Sequence, residues 1–529
     1  MAGNQYIAGP IEPVLAMQDI QGIVVPGFFK PHQTLIYIRL GDKRKVIDRF
    51  KTFLKRFTPS TGEETLDDRR KFRAVAPAKR RNQTAANYGG VLIAIGFSSV
   101  GLKALTPGAA DIPSEAFRLG LAARSELLGD PRDPSNEGHV SNWRVGRPGR
   151  ELDAIIIVAG NQRMPVTARA RVIIRQLRAV GAKVSFENGD VRKDDTGHEH
   201  FGFNDGISQP GIRGRASTRP NDFITNRHLP PAKTPDAWLY GYPGQDLVWP
   251  GEFVLGYPKT SPDPLLPGPS AILKPEWTRN GSFLVFRRLR QDVELFWRTM
   301  RSEANRLSAL PGFAGLTDER LAALLVGRWR SGAPISRVPK ADNQTLGNDP
   351  VANNNFIFDS HTTWPDRFPS AHADPVGLTC PLVAHIRKVN TRDSSSDMGA
   401  RSSAYDRRIL RVGVPFGKSL LDHYAQPARD PEKGNRGLLF LSIQSSIEDQ
   451  FEFLQSRWIN DPARPKAPSG NDMIVGQNAA TAGSVRRCVI FGSGLGQAEL
   501  SASGQFVIPT GGGYFFVPSI SALRSVIGS

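Results

Sequence analysis

At 529 residues, 39% of them hydrophobic, the chain is long for one domain and carries enough apolar side chains for more than one core. Its formal charge of +18 would suit a nucleic-acid binder, but the basic residues are spread along the whole length. Only short clusters such as Asp42 to Lys45 and Ala78 to Gln83 break that pattern, so a solvated basic surface able to steer anionic small molecules is expected, with no nucleic-acid partner.

Gln33 to Leu40 reads as a strand, and Asp42 is placed to cap a helix whose apolar residues Val46, Phe50, Phe53, Leu54 and Phe57 keep helical spacing up to Thr58-Pro59. Val91 to Phe97 and Leu152 to Gly160 follow as strands, then a helix over Val166 to Val180 and a strand at Lys183 to Glu187. That β-α-β-β-α-β order is the split unit of a ferredoxin-like sheet. The second half repeats it with a strand at Ser282 to Leu289, helices near Gln291 to Leu307 and Asp318 to Trp329, and strands at Arg408 to Val412 and Leu438 to Ile443. A helix over Ile447 to Trp458 and a strand over Tyr514 to Ile520 complete the order. The expected class is therefore α+β, with a first unit over 1–212, a connecting excursion over 213–275 and a second unit over 276–529. Arg213 to Pro269 and Ala341 to Asp374 lack sustained periodicity, as long irregular excursions do.

No apolar stretch approaches the ~18 residues of a membrane span. The opening MAGNQYIAGPIEP lacks the basic region and apolar core of a signal peptide, so a cytoplasmic protein is expected, with leaderless export left open. Cys380 and Cys488 cannot build a disulfide framework and have no zinc-ligand spacing. VIFGSGLGQ, Val489 to Gln497, departs from the dinucleotide fingerprint and leaves no room for a crossover helix, so a turn is expected there. GISQPG is not a nucleophile elbow, because Pro210 stands where the second glycine belongs.

The segment HEHFGFNDGISQPGI, His198 to Ile212, sets Asp205 between Gly202 and Gly206, where the backbone can take conformations other residues resist. With CPLVAHIRKVN and RRILRVGVPFG downstream, the chain offers an acid, a histidine and an arginine. Taken together these strings resemble the dye-decolorizing peroxidase family, whose glycine, two variable residues and Asp-Gly signature is matched by Gly202 to Gly206. The resemblance extends through DIQGIVVPGFFKPHQTLIYIRL, GQDLVWPGEFVLGYP, RNGSFLVFRRL, RGLLFLSIQ, FEFLQSRWIN and GGGYFFVPSI, which covers most of the chain and points to the longer fungal and bacterial members.

The resemblance implies two ferredoxin-like units with antiparallel sheets enclosing a pocket for heme b, and a peroxidase acting on hydrogen peroxide and a bulky aromatic donor, including anionic dyes. It places the axial ligand at His385 and a second carboxylate behind it at Asp472, with Asp449 and Glu452 as alternatives. Asp205 becomes the acid/base and Arg411 the charge stabiliser. An aspartate, with a reference pKa of ~3.9 against ~6.5 for histidine, favours acidic activity. Leu438 and Phe440 share one face of a strand and would line the pocket with Gly206, Ile207, Ser208 and Gln209, while Arg387 would reach a propionate. Trp458 and Tyr405 are candidates for surface electron transfer, although Trp458 falls on the apolar stripe of its helix. A homo-oligomer is compatible with the family, but no interface is legible.

Two rival readings remain at this stage. One is a mononuclear metal enzyme using His198, Glu199, His200 and Asp205, against which Glu199 would point away from the two histidines on a strand. The other is a non-catalytic heme-binding or heme-sensing protein on the same fold.

Overall fold

A computed structural model describes residues 9–81, 90–106, 111–192, 194–195, 197–227, 238–361, 364–420, 435–477, 485–492, 496–502 and 504–529. The end of the Ala78 to Gln83 cluster and the centre of the VIFGSGLGQ segment lie outside the described residues. In the first unit, β1 (His32–Arg39), β2 (Val91–Phe97), β3 (Ala154–Gly160) and β4 (Lys183–Asp190) are joined through α1 (Arg44–Arg56), α2 (Gly62–Arg81) and α3 (Arg163–Val180). The sheet order is β2-β3-β1-β4, antiparallel throughout, with Ile36 opposite both Ile156 and Phe186. Every residue of β3 is buried, which its unbroken AIIIVAG composition requires of a strand covered on both faces. On one face α3 lays down Val166, Ala170, Ile173, Ile174 and Leu177, a helical stripe. The expected cap of α1 is corrected: the helix starts after Lys43 rather than Asp42, with no side-chain cap bond. Helix α2 carried too weak an apolar stripe to be read from the sequence.

The second unit contains β5 (Ser282–Gln291), β6 (Leu410–Arg411), β7 (Val414–Phe416), β8 (Gly437–Gln444), a hairpin of β9 (Arg486–Phe491) and β10 (Gln497–Ala502), and β11 (Val507–Val517). Its helices include α4 (Val293–Ser308), α5 (Asp318–Val326) and the short α6 (His385–Val389), followed by π-helical segments Ile447–Glu452 and Leu454–Ile459. Here β8 lies between β5 and the pair β6 and β7, and β11 lies on the other side of β5. Both units therefore show the ferredoxin-like strand order. The last strand begins at Val507, earlier than expected, because Gly511 to Gly513 hide its alternation and the register shifts between Pro509 and Gly511.

The four strands of the first unit and the five of the second (β5, β6, β7, β8 and β11) join into one sheet of nine where Phe516 of β11 pairs with Phe97 of β2. At the opposite edge, β4 approaches β7: a Cβ added at Gly189 would lie 2.2 Å from Cγ1 of Val414. The sheet thus curls toward closure, and glycine supplies the close approach at the seam. The excursions are short-laddered but packed: Gly211–Ile212 pairs with Leu247–Val248, and Trp249 and Phe253 are buried. No helix among the described residues is long and apolar enough to cross a membrane. Substituting Gly189→Val should overpack the seam and destabilise the protein by about 1–3 kcal/mol, seen as a lower urea midpoint; an unchanged midpoint would mean that the two edges are not in packed contact.

Candidate active site

One cavity of about 290 Å³ is walled by both units. The 205–210 segment forms part of its wall, Arg287, Leu289 and Gln291 of β5 with Leu438 and Phe440 of β8 another, and His385 and Ile386 of α6 a third. The sheet residues face it together because Leu438 pairs with Leu289 and Phe440 with Arg287 across adjacent strands.

The acid-bearing turn is docked onto β6. Gly202 and Gly206 have φ of +94° and +78°, conformations glycine adopts without steric cost. Asp205 Oδ1 accepts from the Gly206 backbone N–H at 2.6 Å and from Arg411 Nη1 at 3.2 Å. Gln209 locks the pair in place by donating to the Arg411 carbonyl at 3.0 Å while accepting the Arg411 backbone N–H at 3.2 Å. Arg411 Nη2 also donates to the Ser208 carbonyl at 3.2 Å. The Asp205 side chain is 38% exposed and that of Arg411 30%, so this charge pair opens onto the cavity rather than being sealed in the core.

Also on the cavity wall is His385, whose Nδ1 bonds to Asp472 Oδ2 at 2.7 Å, with the carboxylate fully buried. Asp472 Oδ1 accepts the backbone N–H groups of Ile474 and Val475 at 2.9 and 3.0 Å. Burial pushes this carboxyl up, but the adjacent imidazole and those donors outweigh it, leaving Asp472 below the usual carboxylate range. A buried carboxylate on Nδ1 makes that nitrogen the donor and leaves Nε2 with a free lone pair. Nε2 makes no hydrogen bond to any described residue, and His385 lines the cavity. Asp449 and Glu452 are elsewhere: the first accepts from the Ser446 hydroxyl, the second pairs with Arg124 and accepts from Tyr514.

The chain's relatives agree with this fold. Residues 19–193 match the family described as the DyP dimeric alpha+beta barrel domain. A dye-decolorizing peroxidase of Exidia glandulosa is 31% identical over 521 residues, spanning 96% of this chain and 86% of that one. This chain belongs to the dye-decolorizing peroxidase family. Its structure is similar to that of an ancestral D-type dye-decolorizing peroxidase, at 30% identity and a TM-score of 0.73, over 98% of this chain and 100% of the other. A dye-decolorizing peroxidase solved in complex with 2,6-dimethoxyphenol is 27% identical with a TM-score of 0.69, over 98% and 100% of the two chains.

Within this dye-decolorizing peroxidase, several expected positions are corrected. Arg387 does not line the cavity: it is buried against Asp374, donates to the carbonyls of Cys380 and Asp374, and lies over the Phe358 ring. Among the cations that do line it are Arg328 and Arg392, both buried, which the sequence did not single out. Their guanidinium groups converge on Asn354 Oδ1 at 3.0 and 2.6 Å, and neither has a carboxylate partner among the described residues. Burial pushes them down to about 9 and about 10. Trp458 and Tyr405 are not surface residues, being 0% and 1% exposed. Trp458 donates to Asp397 and packs on Phe453, while the Tyr405 hydroxyl donates to Asp246. Trp458 is buried by the apolar stripe of its helix, as the helix spacing already suggested, and Tyr405 by the core around it beside the buried Asp246.

The metal-site alternative is not supported either. His198 faces Asp195 and the Arg330 carbonyl, and His200 bonds to the Phe416 carbonyl while burial pushes it down to about 4. No group of three metal-ligating side chains converges among the described residues.

Glu199 instead braces the acid-bearing turn. Its carboxyl accepts the backbone N–H groups of Phe201 and Phe203 at 2.8 and 2.9 Å and a donor from Gln291, and it lines the cavity. Burial pushes it up to about 7 from an ordinary 4.5, with the Asp205 charge adding to the rise. Between those two pH values the folded protein keeps a proton that the unfolded chain has lost, so this residue's contribution to stability declines as pH rises through the window. Glu199→Gln should remove that dependence. In urea unfolding from pH 4 to 8, the variant should gain on the parent by on the order of 3 kcal/mol across the window; parallel curves would show that Glu199 is already ionised at low pH.

Proposed function

We propose that the enzyme uses heme b to reduce hydrogen peroxide to water while oxidising bulky aromatic donors, phenols and dyes, in one-electron steps. The observation that carries this reading is a single cavity lined both by an imidazole whose Nδ1 is anchored to a buried carboxylate and by a carboxylate–arginine pair. The wall residues also suit the group's remaining chemistry. Its two acidic side arms need buried cations that lack carboxylate partners, and Arg328 and Arg392 are such cations.

When bound, heme iron supplies the redox centre on which peroxide is cleaved and from which donors are oxidised. His385 would hold the iron through Nε2, and Asp472, by accepting the Nδ1 proton, would fix the ring's tautomer and raise its electron donation. Asp205 takes the proton that peroxide loses and returns it to the departing oxygen, which leaves as water. Arg411 donates to the negative charge that builds on that oxygen, from a position already set by Gln209 and Ser208, so no reorganisation is needed. Leu438 and Phe440 keep this wall narrow and apolar, which limits competing water. Heme binding without catalysis needs only the histidine and the cations, and gives no role to the acid and arginine held together at 3.2 Å.

Stopped-flow absorbance of the heme-loaded protein mixed with hydrogen peroxide at acidic pH tests the reading. Asp205→Asn should slow the spectral conversion by about 10²–10⁴, Arg411→Leu by about 10²–10³, and His385→Ala should weaken or abolish heme uptake. A Soret band indifferent to peroxide would establish the heme-binding alternative. Unaltered heme ligation in His385→Ala would sink the ligand assignment.

A further inference from the structure

Two buried cations bracket the turn that carries Asp472. Lys388 lies one helical turn beyond His385 on α6 and is fully buried. Its Nζ donates to the carbonyls of Asp461, Arg464 and Gly470 at 3.1, 2.6 and 2.7 Å and to the Ser469 hydroxyl at 3.2 Å. Gly470 is two residues before Asp472. From the other side, Arg486 at the start of β9 is 2% exposed and donates through Nη1 to the Gly476 carbonyl at 3.0 Å and through Nη2 to that of Gly504. Gly476 is four residues after Asp472 and donates its own N–H to the Asp472 carbonyl. Neither cation forms an ion pair with a carboxylate among the described residues, yet the Asp472 charge acts on both.

Burying an ammonium and a guanidinium without a paired anion is costly, and simple loop fastening could be done by neutral donors. The mutual position supplies a reason for charge. Asp472 delivers negative charge to His385, and the two cations lie in the same low-dielectric region, where charges act strongly over distance. Burial pushes Lys388 down to about 8 and Arg486 down to about 10, with Asp472 opposing the fall in each, so both are cations at neutral and acidic pH.

We propose that Lys388 and Arg486 are positioning residues for the His385–Asp472 pair, holding the Asp472 turn from both ends and limiting, through their charge, how much electron density the pair passes to a bound iron. The inference rests on the heme reading above and concerns residues that do not touch the reacting atoms.

The test is the Fe(III)/Fe(II) midpoint potential of the full-length heme-loaded protein, measured by spectroelectrochemistry. Lys388→Gln and Arg486→Gln, which keep donors but lose charge, should each shift the midpoint to more negative values, whereas Lys388→Arg and Arg486→Lys should stay near the parent. Asp472→Asn should shift it positive, and Lys388→Gln should have a smaller effect in that background than in the parent. Should Lys388→Gln fail to fold, Arg486→Gln reads the same field from the other end of the turn. Midpoints that ignore charge, or that move equally in the charge-keeping variants, overturn the proposal. Heme ligation that survives His385→Ala unchanged would instead fault the underlying ligand assignment.

Discussion

The reciprocal pair of hydrogen bonds between Gln209 and the backbone of Arg411 is the constraint on which the rest of the site depends. An aspartate and an arginine separated by 206 positions come from different units of the chain, and two flexible side chains of opposite charge would not stay aligned in a half-exposed cleft on Coulomb attraction alone. The amide of Gln209 donates to one backbone group of β6 and accepts from the other, so the acid's own segment acts as an added edge on the short strand that presents the arginine. The geometry of the charge pair is thereby set by backbone, and the side chains need only small adjustments.

The same logic operates at His385, where the supporting acid is buried. Asp472 has no exposed surface, and each of its oxygens is occupied, one by the imidazole and one by two backbone N–H groups. A buried carboxylate so satisfied stays ionised and keeps its orientation. What it leaves available is a single nitrogen lone pair aimed into the cavity. The carboxylate of Asp205 is open to water and that of Asp472 is not, so the two acids of the site differ in their access to solvent protons.

Charge burial around the cavity is unusually heavy for a protein core. Arg328, Arg392, Lys388 and Arg486 are buried without ion-paired carboxylates among the described residues, each compensated by carbonyl and amide oxygens. Groups of this kind lower stability unless their acceptors are well placed. The cost is borne by the irregular excursions: Asn354 from the second one gathers Arg328, Arg392 and Ser208 on a single oxygen. Long segments without regular structure here act as suppliers of backbone acceptors, which regular strands and helices have already used among themselves.

Sequence alone determined most strands of the large sheet and the helices with a clear apolar stripe, though not α2 or the hairpin of β9 and β10, because apolar spacing of two or of three to four residues survives in a single chain: β2 coincides with the expected Val91 to Phe97, and α3 and β5 extend the expected segments by a few residues. It also showed where acid, histidine and arginine stand along the chain, through motif resemblance. Tertiary structure decided which of them meet. The apposition of Asp205 with Arg411 and of His385 with Asp472, the seam at Gly189, and the replacement of Arg387 by Arg328 and Arg392 at the cavity all join positions far apart in the chain. So does the burial of Trp458 and Tyr405. No local period encodes such contacts, since they depend on how two curled sheets and two irregular excursions share one interior.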